Sequence, residues 1–291
     1  MSVPAAYLGV ILIWSTTPLG IQWSAQGATF TFAVLARMAI GLAICLLLMR
    51  ATRTTFVRTP AANQLYVFTG LSIFGAMLLT YWGALHIPSG LISVIFGLSP
   101  LVTGAFAAWW LREHTLTPLR LLGLALALAG LWALFGQPWP GDSQARWGTV
   151  AVVAGMMVQA IGLVWIKRLN AQVSSLAITT GALAVATPLF ALAWLAGDGG
   201  RLPDITPRGG AAIVYLGVFG SVVGFTLYYY VIKHLDTGRV ALITLVTPVT
   251  ALLLGQTLNA ETIPPMGWVG IALIGAGLVL YEWPALRQLR R

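Results

Sequence analysis

Residues 81–100, YWGALHIPSGLISVIFGLSP, and residues 229–248, YYVIKHLDTGRVALITLVTP, carry one pattern twice at an offset of 148. Tyr81 and Tyr229, His86 and His234, Gly90 and Gly238, and Pro100 and Pro248 coincide. After a slip of one residue, GLALALAGL from Gly123 matches GIALIGAGL from Gly270, so the likeness continues to the end of each half. The opening stretches of the two halves match only weakly.

Around this repeat, 58% of the 291 residues are hydrophobic and 8% charged, with mean hydropathy +0.88. A soluble domain carries about 25% charged residues, so water could not solvate this surface. A membrane-crossing helix needs about 20 mostly apolar residues. The chain offers ten such stretches: Pro4–Ser24, Phe30–Met49, Leu65–Leu85, Ser89–Leu111, Leu119–Phe135, Trp147–Ile166, Val173–Leu195, Arg208–Ile232, Thr237–Leu258 and Pro265–Trp283. They are continuously apolar, whereas strands of a membrane barrel alternate, and helices are the other way to satisfy a backbone in lipid. Five spans per half is an odd number, so the second half enters the membrane inverted. The expected fold is all-α integral membrane: ten transmembrane helices as two inverted five-helix repeats, 1–140 and 141–291, around a central cavity.

The single Cys45 falls inside the second span, which precludes an intrachain disulfide. The first span is too long for a signal peptide and lacks its basic flank, so it counts as structure. The net charge of +9 suits topology better than nucleic acid. With the N-terminus inside, Arg50, Arg53, Arg58, Arg112, Arg120, Lys167, Arg168, Lys233, Arg239, Arg287, Arg290 and Arg291 collect on one side, and Arg146, Arg201 and Arg208 on the other. Lys and Arg accumulate on the cytoplasmic side, so both termini are expected there, in a bacterial inner membrane. Trp23, Trp82, Trp109, Trp110, Trp139, Trp147, Trp165, Trp194, Trp268 and Trp283 fall near span ends, where an indole anchors at the headgroups. Trp14 lies mid-span.

Inverted halves that exchange conformations can open a midplane site to either side alternately, which points to a transporter. The residues YWGALHIPSGLISVIFGLSPLVTGAFAAWWLREHTLTPLRLLGLALALAG, and a second copy ending TPVTALLLGQTLNAETIPPMGWVGIALIGAG, resemble the drug/metabolite transporter superfamily, specifically its EamA group. The pattern is a helix with Ser-Pro or Thr-Pro, an acidic residue, Thr and a small-residue-rich last helix, all occurring twice. The resemblance implies a basket of ten helices with a central cavity, and carriers that export amino acids, including aromatic ones, or move other small metabolites.

Pro100 and Pro248 interrupt spans four and nine, each removing a backbone donor and freeing a carbonyl one turn earlier, near Phe96 and Thr244. These prolines are candidate hinges, and Pro18 and Pro188 bend spans one and seven. Ser93, Phe96 and Pro100 share one helical stripe, continued in the second copy by Thr244 and Pro248. Trp14 beside Ser15 and Thr17 sets an aromatic face next to hydroxyls, and Gln159 cannot face lipid cheaply. A cavity built from Trp14, Ser15, Thr17, Ser93, Phe96, Gln159 and Thr244 would suit an uncharged or zwitterionic molecule with an apolar part. Each of these also has a plain packing reading, because hydroxyls and amides in membrane helices often bond their own backbone or a neighbour.

Arg37 lies about 10 Å into span two at about 1.5 Å per residue and could hold a substrate carboxylate. It could equally snorkel outward, and the resemblance implies that an Arg early in this helix is common. Tyr81 and Tyr229, near opposite faces, are candidate gates or an aromatic belt. No Asp or Glu lies mid-span, and His86, His114 and His234 lie near loops, so facilitated diffusion or exchange is expected rather than proton coupling. No metal or cofactor is called for. Small residues four apart, at Gly123 and Ala127, Ala272 and Ala276, and Gly220 and Gly224, suit intramolecular packing or a homodimer through span five or ten. A larger nucleotide- or lipid-linked substrate would need more basic residues within the spans. An enzyme would need a nucleophile, base or metal set that the chain lacks.

Overall fold

The computed structural model describes residues 2–110, 117–135, 144–169, 173–235 and 237–287. Among them no strand occurs, and the helices are α1 (Val3–Gly27), α2 (Phe30–Ala51), α3 (Pro60–Gly83), α4 (Ser89–Gly97), α5 (Ser99–Trp110), α6 (Pro118–Phe135), α7 (Ala145–Leu169), α8 (Ser175–Asp198), α9 (Pro207–Tyr215), a π-helical segment (Leu216–Val223), α10 (Gly224–His234), α11 (Thr237–Asn259) and α12 (Pro265–Arg287). Eight helical stretches, counting α4 with α5 and α9 through Tyr228 as one each, are long and apolar enough to cross a membrane; Pro118–Ala133 and Ile243–Asn259 are shorter apolar helices.

Helix starts follow local chemistry. Thr59, Ser174 and Thr206 cap α3, α8 and α9, their hydroxyls accepting from the amides of Ala62, Ala177 and Gly209 at 3.2, 3.3 and 3.1 Å, and Pro60 and Pro207 occupy the first helical position, where a missing N–H costs nothing. At the end of α2, Thr54 N–H donates to Met49 O at 2.9 Å and Arg53 N–H to Arg50 O at 3.3 Å. This is a Schellman cap whose left-handed residue, usually Gly, is Arg53 at φ 53°. A side chain in that backbone region costs about 1–2 kcal/mol.

Two expected spans are not single helices. Span four breaks at Leu98 into α4 and α5, between Pro100 and the carbonyl of Phe96, four residues back, which its ring and missing N–H cannot accommodate in a regular α-helix. Span eight carries the π-helical segment, in which Ser221 Oγ donates to Leu216 O, five residues back, at 3.0 Å. α11, by contrast, runs without interruption through Pro248. Gly197 and Asp198 form the end of α8, closed by Gly199 at φ 62°.

Packing pairs α6 with α12, α3 with α7 and α8, α2 with α8 and the π segment, α4 with α11, and α1 with α9, α10 and α11. The α6–α12 seam uses the small residues the sequence singled out: a Cβ on Gly123 would lie 2.6 Å from Gly277 O, so the helix backbones touch there. Ala272, Gly275 and Ala276 face outward instead. α1 and α9 meet through Gly27 and Gly209, where a Cβ on Gly27 would sit 2.5 Å from Gly209 Cα. Leu12, Leu47, Trp109, Trp132 and Leu192 are exposed, forming the apolar exterior that lipid would cover.

Two apolar clusters form the interior. The larger runs from Ile21 and Ala25 of α1 through Tyr81, Leu91, Ile95, Phe190 and Leu216 to Leu278. The smaller joins Ala6 and Val10 of α1 to Val231 and Ile243, with Trp14, Tyr228 and Tyr230 packed on it. On α1 the two are separated by the polar step Ser15–Thr16–Thr17.

Candidate functional site

The polar step of α1 is wired to its neighbours. Ser15, buried at 2% exposure, hydrogen-bonds through Oγ to Thr250 Oγ1 of α11. Thr16 Oγ1 reaches Tyr215 OH at 2.5 Å, and Trp14 lies against Tyr228 with ring centroids 4.5 Å apart. Thr17 bonds its own helix, donating to Ile13 O at 2.7 Å. α1 therefore holds α9, α10 and α11 by side-chain contacts near its middle. Such bonds contribute about 0.5–1.5 kcal/mol each, weak enough to exchange.

Arg37 of α2 is 5% exposed, and Tyr81 is fully buried. Arg37 Nε donates to Ser221 Oγ at 3.2 Å and Nη1 to Tyr81 OH at 3.4 Å. The guanidinium does not snorkel, and Tyr81 belongs to neither an interfacial belt nor a surface. Gly217 and Gly220 let α2 and the π segment approach: a Cβ on Gly220 would lie 3.3 Å from Arg37 Nη2. Both hydrogen-bond partners are neutral, so this buried cation is solvated by hydroxyls and has no carboxylate partner among the described residues.

A second polar cluster closes the end of the bundle where α1 finishes. Asn259, the last residue of α11, donates through Nδ2 to Gln22 Oε1 at 2.8 Å and to Glu261 Oε1 at 3.0 Å, and accepts from Trp23 Nε1 at 2.9 Å. Glu261 Oε2 accepts from Gly90 N at 3.2 Å, placing a carboxylate on the N-terminus of α4, where the helix dipole favours it. Gln22 Nε2 donates to Ile87 O at 3.2 Å. Arg208 of α9 stacks on the Trp23 ring at 3.7 Å and donates to Leu258 O at 3.1 Å. α1, α4 and α11 thus meet at Asn259 and Glu261, and α9 joins them through Arg208 on Trp23. Nearby, Asp198 accepts from Thr29 Oγ1 at 2.8 Å and from Thr31 Oγ1, tying α8 to the start of α2.

Of the residues the sequence singled out, the structure gathers Trp14, Ser15 and Thr17 on α1 beside α10 and α11. It sets Ser93 and Phe96 on α4, which packs on α11 with Gly97 against Pro248. Ser93 is buried and Phe96 half-buried, as are Thr244 and Gln159. Gln159 stands apart on α7, beside α3 and α5, and Arg37 with Tyr81 forms a separate group on α2 and α3. The Tyr229 side chain, Arg112, His114, Trp139, Arg290 and Arg291 fall outside the described residues. Sequence reasoning missed Tyr215, Ser221, Thr250, Gln22, Asn259 and Glu261. A Gly-x-x-Gly-Ser run at Gly217–Ser221, and an acid just before the Pro264-Pro265 start of α12, were the signals that could have found Ser221 and Glu261.

Two stretches, residues 3–136 and 146–283, match the model of the EamA-like transporter family. The chain is 27% identical over 289 residues to the uncharacterized inner membrane transporter YedA of Escherichia coli, covering 96% of this chain and 92% of the relative. It is 25% identical over 281 residues to an uncharacterized transporter of Archaeoglobus fulgidus, covering 93% and 95%. It is 28% identical over 241 residues to a probable terminal-alkyne amino-acid exporter of Streptantibioticus cattleyicolor, covering 80% and 78%. A solved crystal structure with 22% identity superposes at a TM-score of 0.67 over 100% of this chain and 99% of the other, which shows a shared fold. With both stretches matched and apolar helices fit to cross a bilayer, the chain is a membrane transporter for small molecules and belongs to the EamA-like transporter family.

Proposed function

We propose that this transporter exports amino acids with an apolar side chain by alternating access, from an inner membrane in which both termini are cytoplasmic. The observation that carries the substrate class is Arg37: a permanent charge among neutral hydroxyls has an unmet preference for an anion, and a guanidinium fork matches a carboxylate. In this reading the Ser15–Thr17 step, with Trp14 beside it and Ser93, Phe96 and Thr244 on the adjoining α4 and α11, lines a central cavity for the rest of the substrate, and Gln159 joins it from α7, which packs on α4. The Streptantibioticus relative is named as a probable exporter of a terminal-alkyne amino acid, and an alkyne is an apolar group.

Ten spans in two inverted halves, 1–140 and 141–291, are the architecture this reading requires. Helix neighbours support it. α2 against the π segment corresponds to α8 against α3, α1 against α9 to α7 against α3, and α1 against α11 to α7 against α5. The ring pairs Trp82–His86 and Tyr230–His234, at 4.8 and 4.2 Å, are equivalent at the repeat offset. In this scheme the Asn259–Glu261 cluster is the outer closure, the apolar cluster around Val10 and Tyr228 the inner one, and Pro100 and Pro248 are hinges. A homodimer would use the outward small-residue face of α12 at Ala272 and Ala276.

Counterflow into proteoliposomes with a labelled panel of apolar, aromatic and hydroxyl amino acids, purines and quaternary amines tests the substrate class. Saturable exchange confined to amino acids is the expected result. Exchange of purines or amines alone, by folded protein, would overturn it.

A further inference from the structure

At the other end of α2 from its polar start lies a hollow of about 610 Å³ whose walls include Arg50, Arg53, Arg58, Leu46, Thr55 and Phe56. We propose that it is a headgroup site for an anionic phospholipid, bound through its phosphate. Three arginines share one hollow that no carboxylate lines among the described residues, and all three side chains are exposed. Three positive charges around one hollow favour an anion there, and a phosphate oxyanion is the partner a guanidinium fork fits best.

Position selects the lipid over a free anion. Leu46 is on the last turns of a helix long and apolar enough to cross the membrane, and the hollow opens where that helix leaves the hydrocarbon. Leu46 and Phe56 are exposed within it, and Leu47 and Leu48 are exposed on the same stretch of α2. A soluble phosphate has no use for those apolar walls, whereas a phospholipid has acyl chains to lay along them. Basic pockets at the ends of membrane helices are the usual form of such sites.

The backbone points the same way. Thr52 Oγ1 donates to Leu48 O and meets Thr54 Oγ1, both at 2.8 Å, so side-chain bonds hold the turn that carries Arg53. An arginine stands at its left-handed position, where glycine would be relaxed, and that strain brings a third guanidinium to the hollow.

The test is thermal melting of the purified full-length protein in detergent, with and without dioleoyl phosphatidylglycerol, dioleoyl phosphatidylcholine or inorganic phosphate. Phosphatidylglycerol is expected to raise Tm by several degrees and phosphatidylcholine and phosphate to do little. Arg53→Gly removes one charge and relaxes the turn, so its lipid-free Tm should equal or exceed that of the parent, while its apparent affinity for phosphatidylglycerol falls about tenfold. Arg50→Gln with Arg53→Gly and Arg58→Gln should abolish the shift. Three results would overturn the proposal: an equal shift with phosphatidylcholine, an equal shift with phosphate alone, which would make this a soluble-anion site, or an undiminished shift in Arg53→Gly. Because Arg53→Gly keeps the fold, a poorly folded triple variant does not obscure the outcome.

Discussion

Replacing Arg37 with Met separates a substrate-binding role from a structural one, because the two predict opposite signs for stability. The side chain makes two long hydrogen bonds, 3.2 Å to Ser221 and 3.4 Å to Tyr81, together contributing about 1–2 kcal/mol. Against that, moving an ion into the interior costs several kcal/mol even after relaxation, and an apolar residue of similar volume is often neutral or stabilising. Tm of Arg37→Met in detergent is therefore expected to stay level or rise. Transport should move the other way. A carboxylate that loses its guanidinium forfeits about 3 kcal/mol of charge-assisted hydrogen bonding, which at about 1.4 kcal/mol per decade is a rise of about 100-fold in KM for an amino acid. The matching methyl ester, which has no carboxylate, should be indifferent to the substitution. The assay is counterflow of both compounds beside a melting curve. A fall in Tm with KM for the amino acid unchanged would refute the reasoning and make Arg37 a packing residue.

Other expectations follow from the same geometry. Glu261→Gln weakens the carboxylate contact to the α4 N-terminus by about 1 kcal/mol and should speed labelling of a Ser93→Cys reporter by a membrane-impermeant maleimide added outside; unchanged labelling would remove Glu261 from the outer closure. The pair Ser15→Ala and Thr250→Val should show a coupling of about 0.5–1.5 kcal/mol in a double-mutant cycle of melting free energies, and strict additivity would deny the α1–α11 bond a part in stability. Gly123→Leu pushes a side chain into the Gly277 backbone and should cost more than about 2 kcal/mol, read as lost expression and lowered Tm. An imposed pH gradient alone should not drive substrate accumulation; accumulation would point to a proton-linked group.

How much of this was legible beforehand varied with the physics. Hydropathy located the eight long apolar helices among the described residues, because lipid demands long apolar runs and spares few alternatives. Pro100 marked where span four breaks at Leu98, yet the same signal at Pro248 leaves α11 continuous, so the proline shows where a helix can yield and the packing decides whether it does. The π segment was not, since a run such as Leu216–Val223 is as apolar as its helical neighbours and its register is settled by α2 pressing against Gly217 and Gly220. The site divided in the same way. Arg37 stood out as a charge where none should be, and Ser15 was named for its hydroxyl. Their partners Ser221 and Thr250 are ordinary residues made significant only by helices distant in sequence. Asn259 and Glu261 were passed over as loop, because a polar residue at a span end looks solvated until the chain folds it over Gln22 and Gly90.

The π segment has a consequence for how this chain could change over time. A π turn holds one more residue than the α turn it replaces, so deleting any one residue of Leu216–Val223 should let the helix close into regular α geometry. The wider turn already absorbs that residue, so α10 would keep its facing and Tyr228 its place beside Trp14. The loss would be local: the five-back bond from Ser221 to Leu216 O, and with it the placement of Ser221 against Arg37. A deletion in the regular turns of α9 or α10 has no such slack and would turn everything after it by about 100°. Length should therefore be held more strictly in the flanking α-helical turns than in the π segment itself.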